Sequence, residues 1–585
     1  MLSKTLLFLF ASVFTVVAAK ESLIPQDSVA QMTLRLVPQG FDPIASSDFV
    51  DAIVQRQVFE CLTEYDYEAA DDTIQGLLAT SWEVSEDRLT WTFELNPEAR
   101  FYDPYQPALW KEKTRPVVAQ DVLASWLRMA DARQDGKGYW AYEGLFLGLD
   151  AFRNSTAALD PAKADAAFAK ALKEGVEGIQ VLGEHRLQLK LHYADAHLLK
   201  RLAMTHFQVY PLEACTTEGR TLADQPVGSA PYFLDLWVPG QTIGFQRTPD
   251  WRGQESSAGD GVLPHMDRFE LHVTRQGDTA PVMFDRGVLA RMGVSAAALQ
   301  HFFEEDRAQL KKEFADRGIQ AFPTVHNDIT MLQFQMDDAV VGRRPGDEEG
   351  NRKRRLVRQA LALCFPYKEW QDNARGALPA TLAQNFLPPH MSDAAGTPKN
   401  SWNKTDLVQA KALLAKAGYP GGQGLQPILF GTGNDPVSQD IAERFQGNAA
   451  AIGIPLEIDT VAWNKVNDNI RSGNYQVFLR AWVMDYADAS LILQSFYGPN
   501  AGSETNFSNF RDEAYDAHFR IMRSSLPGEK RSAALTAMLD ILNTEVPSVP
   551  IDHRKGWVLA QPQLQNFHVH PYEYLPLKHY VWVQD

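Results

Sequence analysis

The chain has 585 residues and a formal net charge of −17 at pH 7, with 45% apolar and 22% charged residues. This length permits a large core and exceeds one simple domain. The acidic balance argues against a nucleic-acid-binding protein, because such proteins need basic surfaces to meet phosphates. The one basic cluster, at residues 352–355, precedes an apolar-periodic segment and is interpreted as the solvated start of a helix.

The first residues have the pattern of a secretory signal. Lys4 supplies the positive start, residues 6–17 are apolar, and residues 17–19 suit cleavage before Lys20. The apolar stretch is too short for a permanent membrane span, and an uncleaved anchor is the alternative. No cysteine ends the signal and no later apolar run reaches about 18 residues, so we expect an exported, soluble protein.

Three cysteines are present: Cys61, Cys215 and Cys364. Their spacing fits neither a metal site nor a disulfide scaffold. An exported compartment permits one disulfide bond and leaves one thiol over, but the sequence does not indicate which pair would form it.

The first half of the chain alternates short strands and helices. Residues 33–37 and 89–95 have strand patterns, and residues 51–62 have the apolar spacing of a helix. Residues 178–191 alternate as a hairpin would, and residues 226–232 are rich in turn residues before a further strand.

The second half predicts a more regular alternation. Strands are expected at residues 425–431, 455–461 and from 475 onward, with helices at 441–450 and 463–471 between them. Strand, helix, strand, helix, strand implies right-handed crossovers and a parallel sheet. In open sheets of this kind ligands bind beyond the carboxyl ends of the strands.

One junction in this half stands out chemically. Residues 475–482 are apolar and aromatic, as in a buried strand, and Asp485, Tyr486 and Asp488 follow before apolar spacing resumes. A carboxylate there is costly unless a cationic group meets it, so Asp485 is a candidate ligand-binding residue. The alternative is structural, with Asp488 or Ser490 capping the helix that follows.

Eight short blocks carry a family resemblance. They read VFECL at 58–62, LATSWEV at 78–84 with LTWTF at 89–93, VAQDV at 118–122, PVGSAPY at 226–232, RTPDW at 247–251, VRQAL at 357–361, AKALLAKAGY at 410–419 and WVMDY at 482–486. In this order they resemble the family 5 extracellular solute-binding proteins, the dipeptide- and oligopeptide-binding receptors of ABC importers. The resemblance extends from about residue 33 to the C-terminus.

The resemblance implies an α/β, two-lobe periplasmic-binding-protein fold (type II, cluster C) with an extra subdomain in the first lobe. The implied division is a signal peptide at 1–19, first-lobe segments at 20–46, 178–275 and 552–585, a subdomain at 47–177 and a second lobe at 276–551. Two or three strands that cross near Arg275 and Ile551 would then let the lobes hinge.

It also implies a monomeric periplasmic receptor, without cofactor or metal, that delivers a captured peptide to an inner-membrane ABC permease. In peptide-binding relatives the aspartate of the last block pairs with the peptide's α-ammonium, and this role passes to Asp485. Trp482 and Tyr486 of the same block are the other candidate ligand contacts. Relatives that bind oligosaccharides, metal chelates, opines or glutathione keep a non-peptide ligand open.

Three departures from the family pattern bear on the ligand more than on the fold. Ser229 and Ala230 replace the usual Thr-Gly, and residues 487–489 replace a proline-containing continuation. Residues 284–287 lack the acidic residue that often follows the family glycine.

An enzyme is the main rival class. The sequence lacks G-x-S-x-G, H-E-x-x-H, Walker A and C-x-x-C patterns. Asp485 and Asp488 are three residues apart, which favours one ligand group and one cap over an acid–base pair. A binding protein is therefore expected.

A histidine block near the C-terminus raises the possibility of a metal site. His568 and His570 share one strand face, and His579 is nearby in sequence. Prolines interrupt the block, so we expect these histidines to be structural or to face solvent.

Overall fold

The computed structural model describes residues 29–583, apart from residues 35, 47–48, 70–71, 256–260, 275–278, 306–307, 374–380, 395, 504 and 573–574. The predicted signal and its cleavage before Lys20 lie outside these described residues. Within them, no helix is both long and apolar enough to cross a membrane.

Strands are numbered here in chain order. Up to residue 273 they are β1 (Ala30–Leu34), β2 (Thr63–Tyr65), β3 (Ile74–Gly76), β4 (Ala79–Val84), β5 (Thr90–Leu95), β6 (Arg100–Tyr102), β7 (Thr114–Pro116), β8 (Ile179–Gly183), β9 (Arg186–Lys190), β10 (Tyr232–Val238), β11 (Thr242–Arg247), β12 (Gln254–Glu255), β13 (Val262–Leu263) and β14 (Arg268–Val273). They continue as β15 (Arg291–Gly293), β16 (Gln320–Val325), β17 (Asp328–Phe334), β18 (Thr381–Leu382), β19 (Ile428–Gly433), β20 (Leu456–Val461), β21 (Val477–Val483), β22 (Ser548–His553), β23 (Lys555–Ala560), β24 (Leu564–Gln565) and β25 (Val581–Trp582).

Helices are numbered in the same way. They are α1 (Phe49–Gln55), α2 (Ala119–Ala130), α3 (Leu149–Ala158), α4 (Pro161–Glu174), α5 (Leu198–Leu202), α6 (Glu213–Thr216), α7 (Thr279–Asp285), α8 (Ala296–Phe302), α9 (Lys312–Ala315), α10 (Glu348–Ala362), α11 (Tyr367–Asn373), α12 (Leu407–Lys416), α13 (Pro436–Ala451), α14 (Trp463–Arg471), α15 (Ala489–Leu493), α16 (Glu513–Ser524) and α17 (Glu529–Glu545). Short 3-10 turns include Tyr139–Ala141 and Thr205–Phe207.

Local sequence signals start and stop several helices of the second half. The Asp435 carboxylate accepts a hydrogen bond from Ser438 N (3.0 Å) ahead of α13, whose first residue is a proline. Asp406 caps α12 through Gln409 N (2.9 Å), and the chain leaves this helix at Gly418, whose φ is +94°. Aspartate before the first turn and glycine just past the last turn are residue types that favour these two positions.

The first large sheet has seven strands in the order β10-β11-β14-β1-β15-β23-β16. β1 lies parallel to β14 and β15, whereas the other neighbouring pairs are antiparallel. Because β1, β23 and the rest come from distant parts of the chain, only the folded chain brings this sheet together.

The second large sheet has six strands in the order β18-β22-β17-β21-β19-β20. β19 is parallel to β20 and β21, with α13 and α14 in the connections, so the predicted strand–helix alternation is confirmed. On the other side of β21, β17 runs antiparallel to β21, and β22 runs antiparallel to β17. The sheet is therefore mixed. All seven residues of β17 are buried, as befits a strand in the middle of a sheet covered on both faces.

A smaller sheet has the order β4-β5-β9-β8. It includes the hairpin at residues 178–191, which the division implied by the family resemblance assigns to the first lobe. The hairpin pairs instead with β5, where Leu189 is opposite Trp91 and Leu187 is opposite Phe93. The predicted subdomain boundary at residue 177 is therefore wrong, since the alternating pattern of the hairpin does not specify which strand it meets.

The predicted start of the second lobe at residue 276 is also wrong. β15 and β16 both pair with β23 in the seven-stranded sheet, and the six-stranded sheet begins at β17. We therefore use "second lobe" below for residues 327–553 and "first-lobe side" for the remainder.

The chain crosses between the two large sheets at β16–β17 and at β22–β23. At these crossings His326 N donates to Arg554 O (2.9 Å), and Arg554 N donates to the Asp328 carboxylate (3.1 Å). His553 Nδ1 donates to Asp328 O (2.7 Å), and Arg554 also forms an ion pair with Asp328. The crossing expected near Arg275 thus lies near residue 327, while the other lies close to the expected Ile551.

No disulfide bond joins any two of the three cysteines, all of which lie in the described part of the chain. Cys61 and Cys364 are buried, and the Cys61 thiol donates to Met204 O (3.2 Å). The disulfide bond that the compartment permits is therefore absent.

The packing against β19 leaves no room for a side chain at Gly431. A Cβ on Gly431 would lie 2.2 Å from the ring of Tyr475, which is buried and hydrogen-bonded to Asp459 (2.6 Å) and Asn469 (2.8 Å). We predict that Gly431→Ala lowers the unfolding free energy by about 1–3 kcal/mol, because the ring cannot move away cheaply.

The matched control is Gly447→Ala in α13, where a Cβ meets nothing within 4 Å. It should raise stability by up to about 1 kcal/mol through helix propensity. Urea unfolding of both variants measures the difference, and equal stabilities would contradict the packing argument.

Candidate ligand-binding site

The candidate site lies where β21 leaves the second sheet. β19, β20 and β21 are parallel, so their carboxyl ends at Gly433, Val461 and Val483 meet at one edge. β21 is buried over its first three residues and more exposed towards this edge. Asp485 follows two residues beyond the strand, in the place where open α/β sheets bind ligands.

The Asp485 carboxylate is half-buried and lacks a protein partner. Across the described ranges, no side chain forms a hydrogen bond or ion pair with it. Burial raises its pKa to about 7, and the guanidinium of Arg56 opposes this only at longer range. A partly buried carboxylate with a raised pKa and no counter-ion is a candidate for binding a cationic ligand.

Trp482 lies near the end of β21, three residues before Asp485. Its ring is half-buried and meets the ring of Trp140 edge-on, with 6.5 Å between ring centres. Its indole N–H is buried and has no hydrogen-bond partner among the described residues. Trp482 therefore has a partly exposed aromatic ring and a buried indole donor, three residues before Asp485.

The first-lobe side contributes residues that the sequence analysis did not identify. Trp140 and His206 lie on the two short 3-10 turns, with 5.3 Å between their ring centres. Burial, with a further contribution from Arg56, lowers the pKa of His206 to about 4, so this imidazole is neutral near pH 7. No local pattern marks these turns, because only the meeting of distant segments places them opposite Trp482.

Arg56 also lines a cavity of about 60 Å³ on the first-lobe side. Its wall includes Glu60, Tyr65, Ala203 and Lys578. The wall combines apolar and charged groups, and the volume suffices for a few ordered water molecules.

Tyr486 is fully buried and is occupied by protein contacts. Arg201 Nη2 donates to its hydroxyl (3.3 Å), and the same guanidinium lies 5.4 Å from the ring centre. The hydroxyl is also 3.2 Å from Ser490 Oγ. Its predicted role as a ligand contact stays a prediction, and the described contacts occupy its ring and hydroxyl with protein groups.

Asp488 is the helix cap that the sequence offered as an alternative. Its carboxylate accepts from Ser490 N (2.9 Å) at the start of α15 and lies 3.0 Å from His197 Nε2. It also forms an ion pair with Arg531. Burial would raise the pKa of Asp488, but His197 and Arg531 outweigh it and hold the pKa well below its usual range. The two acids of this loop thus have opposite environments.

The histidine block packs structurally around Tyr67. The His568 ring stacks on Tyr67 at 3.8 Å between ring centres and donates from Nε2 to Tyr67 O (2.6 Å). Burial, assisted by neighbouring Lys578 and histidines, lowers the pKa of His579 to about 2. No group of three or more metal-ligating side chains in the described part of the chain is arranged to hold a metal ion.

The family model of the bacterial extracellular solute-binding proteins, family 5, matches residues 73–504. The chain therefore belongs to this family, and the expected two-lobe fold with an extra subdomain is confirmed.

Curated relatives match over nearly the whole chain. A haem-binding protein A of Haemophilus influenzae is 23% identical over 92% of this chain and 89% of its own length. A di/tripeptide-binding protein 1 of Pseudomonas aeruginosa is 24% identical over 92% and 90%. The periplasmic murein peptide-binding protein of Escherichia coli is 22% identical over 94% and 91%.

Solved structures share the fold. A periplasmic binding protein of Helicobacter pylori in complex with the peptide STSA superposes with a TM-score of 0.71, at 17% identity, over 95% of this chain and 98% of that one. The murein tripeptide-binding protein of Escherichia coli gives 0.70 at 18% identity over 95% and 98%. Its unliganded open form gives 0.66 at 18% identity over 95% and 97%.

The opposite environments of the two acids predict opposite responses to loss of charge. Asp488→Asn keeps a cap acceptor but leaves Arg531 and His197 facing a neutral group in a buried site. We predict a loss of about 3 kcal/mol in unfolding free energy. Asp406→Asn, at the cap of α12, is the matched control and should change stability by less than about 0.5 kcal/mol. Equal losses in urea unfolding would show that Asp488 acts only as a cap.

For Asp485 the stability should depend on pH. Because its folded pKa is raised from 3.8 to about 7, the folded protein holds a proton on Asp485 between about pH 4 and pH 7 that the unfolded chain has released. The resulting stability is present at low pH and is lost as pH rises through 7. We therefore expect ligand-free wild type to lose stability relative to Asp485→Asn between pH 5 and pH 8. Parallel denaturation midpoints across this range would contradict the raised pKa.

Proposed function

We propose that this chain is the periplasmic receptor of an ABC importer and that it captures a short peptide between its two lobes. Asp485 pairs with the peptide's α-ammonium. The observation that carries this proposal is the Asp485 carboxylate, which is half-buried at the carboxyl edge of the sheet and has no cationic partner at hydrogen-bond distance among the described residues. An ammonium group supplies the charge that this carboxylate lacks.

Trp482 and Trp140 form the flanks of the proposed site. The unused indole donor of Trp482 suits a peptide carbonyl, and the extended chain around it suits main-chain pairing in the manner of strand addition. Main-chain pairing makes affinity depend little on side chains. Tyr486 then has an indirect role, because its contacts with Arg201 and Ser490 fix the loop that holds Asp485.

Family membership supports the receptor role, and several relatives are named for peptides. Others are named for haem or agropinic acid, so a non-peptide ligand is the second candidate. The Asp485 environment favours a ligand with a cationic group and thereby favours peptides over purely anionic ligands.

Binding rather than catalysis fits the two acids. An acid–base pair needs both carboxylates free to exchange protons with a substrate. Asp488 is already bonded to Ser490, His197 and Arg531. Of these two acids, Asp485 is therefore the one available to a ligand. We propose further that the chain is exported by a cleaved signal, works as a monomer and passes its ligand to an inner-membrane permease.

The decisive variant is Asp485→Asn, which keeps the shape of the side chain and removes its charge. A tripeptide chosen from a thermal-shift screen should bind it about 30-fold or more weakly than it binds wild type, because removing one partner of a desolvated charge pair costs on the order of 2–5 kcal/mol. The same tripeptide with an acetylated N-terminus should bind wild type poorly and lose little further on mutation. Isothermal titration calorimetry measures all four combinations.

Asp440→Asn on the exposed face of α13 is the charge-matched control, since it removes one carboxylate from the same lobe. It should bind both peptides as wild type does. Equal binding of free and acetylated peptide by wild type would refute the pairing of Asp485 with an ammonium group. It would favour a non-peptide ligand instead.

A further inference from the structure

The two lobes also contact each other directly, next to the candidate site. We call this contact the interlobe clasp. On the first-lobe side it comprises Tyr65, His197, Lys200 and Arg201, and in the second lobe it comprises residues 486–488. The clasp uses protein groups on both sides and therefore needs no ligand to form.

Ala487 forms the centre of the clasp. Its N–H donates to the Tyr65 hydroxyl (2.9 Å), and its carbonyl accepts from Lys200 Nζ (3.1 Å). Both polar backbone groups of one second-lobe residue thus bond to first-lobe side chains. Tyr65, Ala203, Ala487 and Tyr572 form a small apolar cluster around these bonds and exclude water from them.

Asp488 extends the clasp through a buried charge. Arg531 from the same lobe and His197 from the opposite side both reach one oxygen of its carboxylate. Arg531 is further paired with Asp393, and Arg201 is paired with Asp195 at 3.0 Å. If the lobes part, Asp488 keeps Arg531 but loses His197.

A second, peripheral set of contacts lies beside it. Ala196 N donates to Arg523 O (3.3 Å), and the Arg523 guanidinium lies 3.6 Å from the ring centre of Tyr193. Lys200 is also paired with Asp72. The two contacts of Arg523 join the lobes and therefore break or form with the clasp, whereas the Lys200–Asp72 pair lies within the first-lobe side.

We propose that the interlobe clasp holds the ligand-free receptor closed, and that Tyr65, His197 and Lys200 set ligand affinity without touching the ligand. They are positioning residues. A ligand that binds only the closed form has an apparent Kd equal to its intrinsic Kd divided by the closed fraction. The clasp raises that fraction, and this inference rests on the two-lobe fold rather than on the ligand's identity.

Weakening the clasp affects ligand affinity differently from removing a ligand contact. Weakening the clasp lowers the closed fraction by the same factor whatever the ligand. Free and acetylated forms of one tripeptide should therefore lose affinity equally, whereas Asp485→Asn distinguishes them. A uniform loss identifies a residue that acts through closure.

The test uses the full chain, freed of co-purified ligand by unfolding and refolding, in small-angle X-ray scattering. Ligand-free wild type should have the radius of gyration of protein saturated with the tripeptide. The triple variant Tyr65→Phe, His197→Gln, Lys200→Met should expand when ligand-free and contract when saturated. Its affinity for both tripeptide forms should fall about tenfold or more, since each lost hydrogen bond contributes a factor of about five.

Lys170→Met, at an exposed position on α4, is the matched control and should scatter as wild type does. Tyr65→Phe alone provides a milder variant should the triple one fail to fold, and it should still expand partially. The proposal is overturned if ligand-free wild type is already as expanded as the variants, or if the variants remain as compact as wild type. Both outcomes are read without a ligand, so they stand apart from any failure of the peptide proposal.

Discussion

The loop after β21 depends on how the buried carboxylate of Asp488 is neutralised. An unpaired carboxylate there would cost several kcal/mol, so the loop is held where Arg531 and His197 both reach it. Ser490 N–H fixes the remaining oxygen and starts α15. Because three bonds define the path of this loop, they also define where Asp485, three residues earlier, comes to lie.

Asp485 is placed beyond the reach of those partners. Its pKa is raised while that of Asp488 is lowered, although the two acids belong to one short loop. Neighbouring acids with pKa values pushed apart are typical of functional sites, where one group is structural and the other waits for a partner. Under the proposed function that partner is the ammonium group of the ligand, which complements the charge of the carboxylate.

Ligand capture and lobe closure share the same few residues. Trp482 and Asp485 face the proposed ligand, and Ala487 and Asp488 contact the first-lobe side directly. In the described part of the chain two crossings connect the large sheets, with Asp328 bound to both His553 and Arg554 at their meeting point. A movement about these crossings therefore changes the site and the clasp together.

Several features of this structure follow from local sequence patterns. The strand–helix alternation around β19, β20 and β21 followed from apolar spacing, and the cap at Asp406 followed from residue type. The block at residues 482–486 indicated the position of Asp485, and Asp488 was among the possible caps. These features depend on neighbours within a few residues, so the amino-acid sequence by itself determined them.

Long-range pairing decided the rest. The hairpin β8–β9 and the strands β15 and β16 have patterns that would suit either of two sheets, and only pairing with β5 and β23 assigned them. Trp140, His206, His197 and Arg531 reach the site or the clasp from elements far away in the chain. The tertiary structure also decided that Asp485 meets no counter-ion among the described residues, because burial and partner distances are set by the packing of both lobes and by no local spacing.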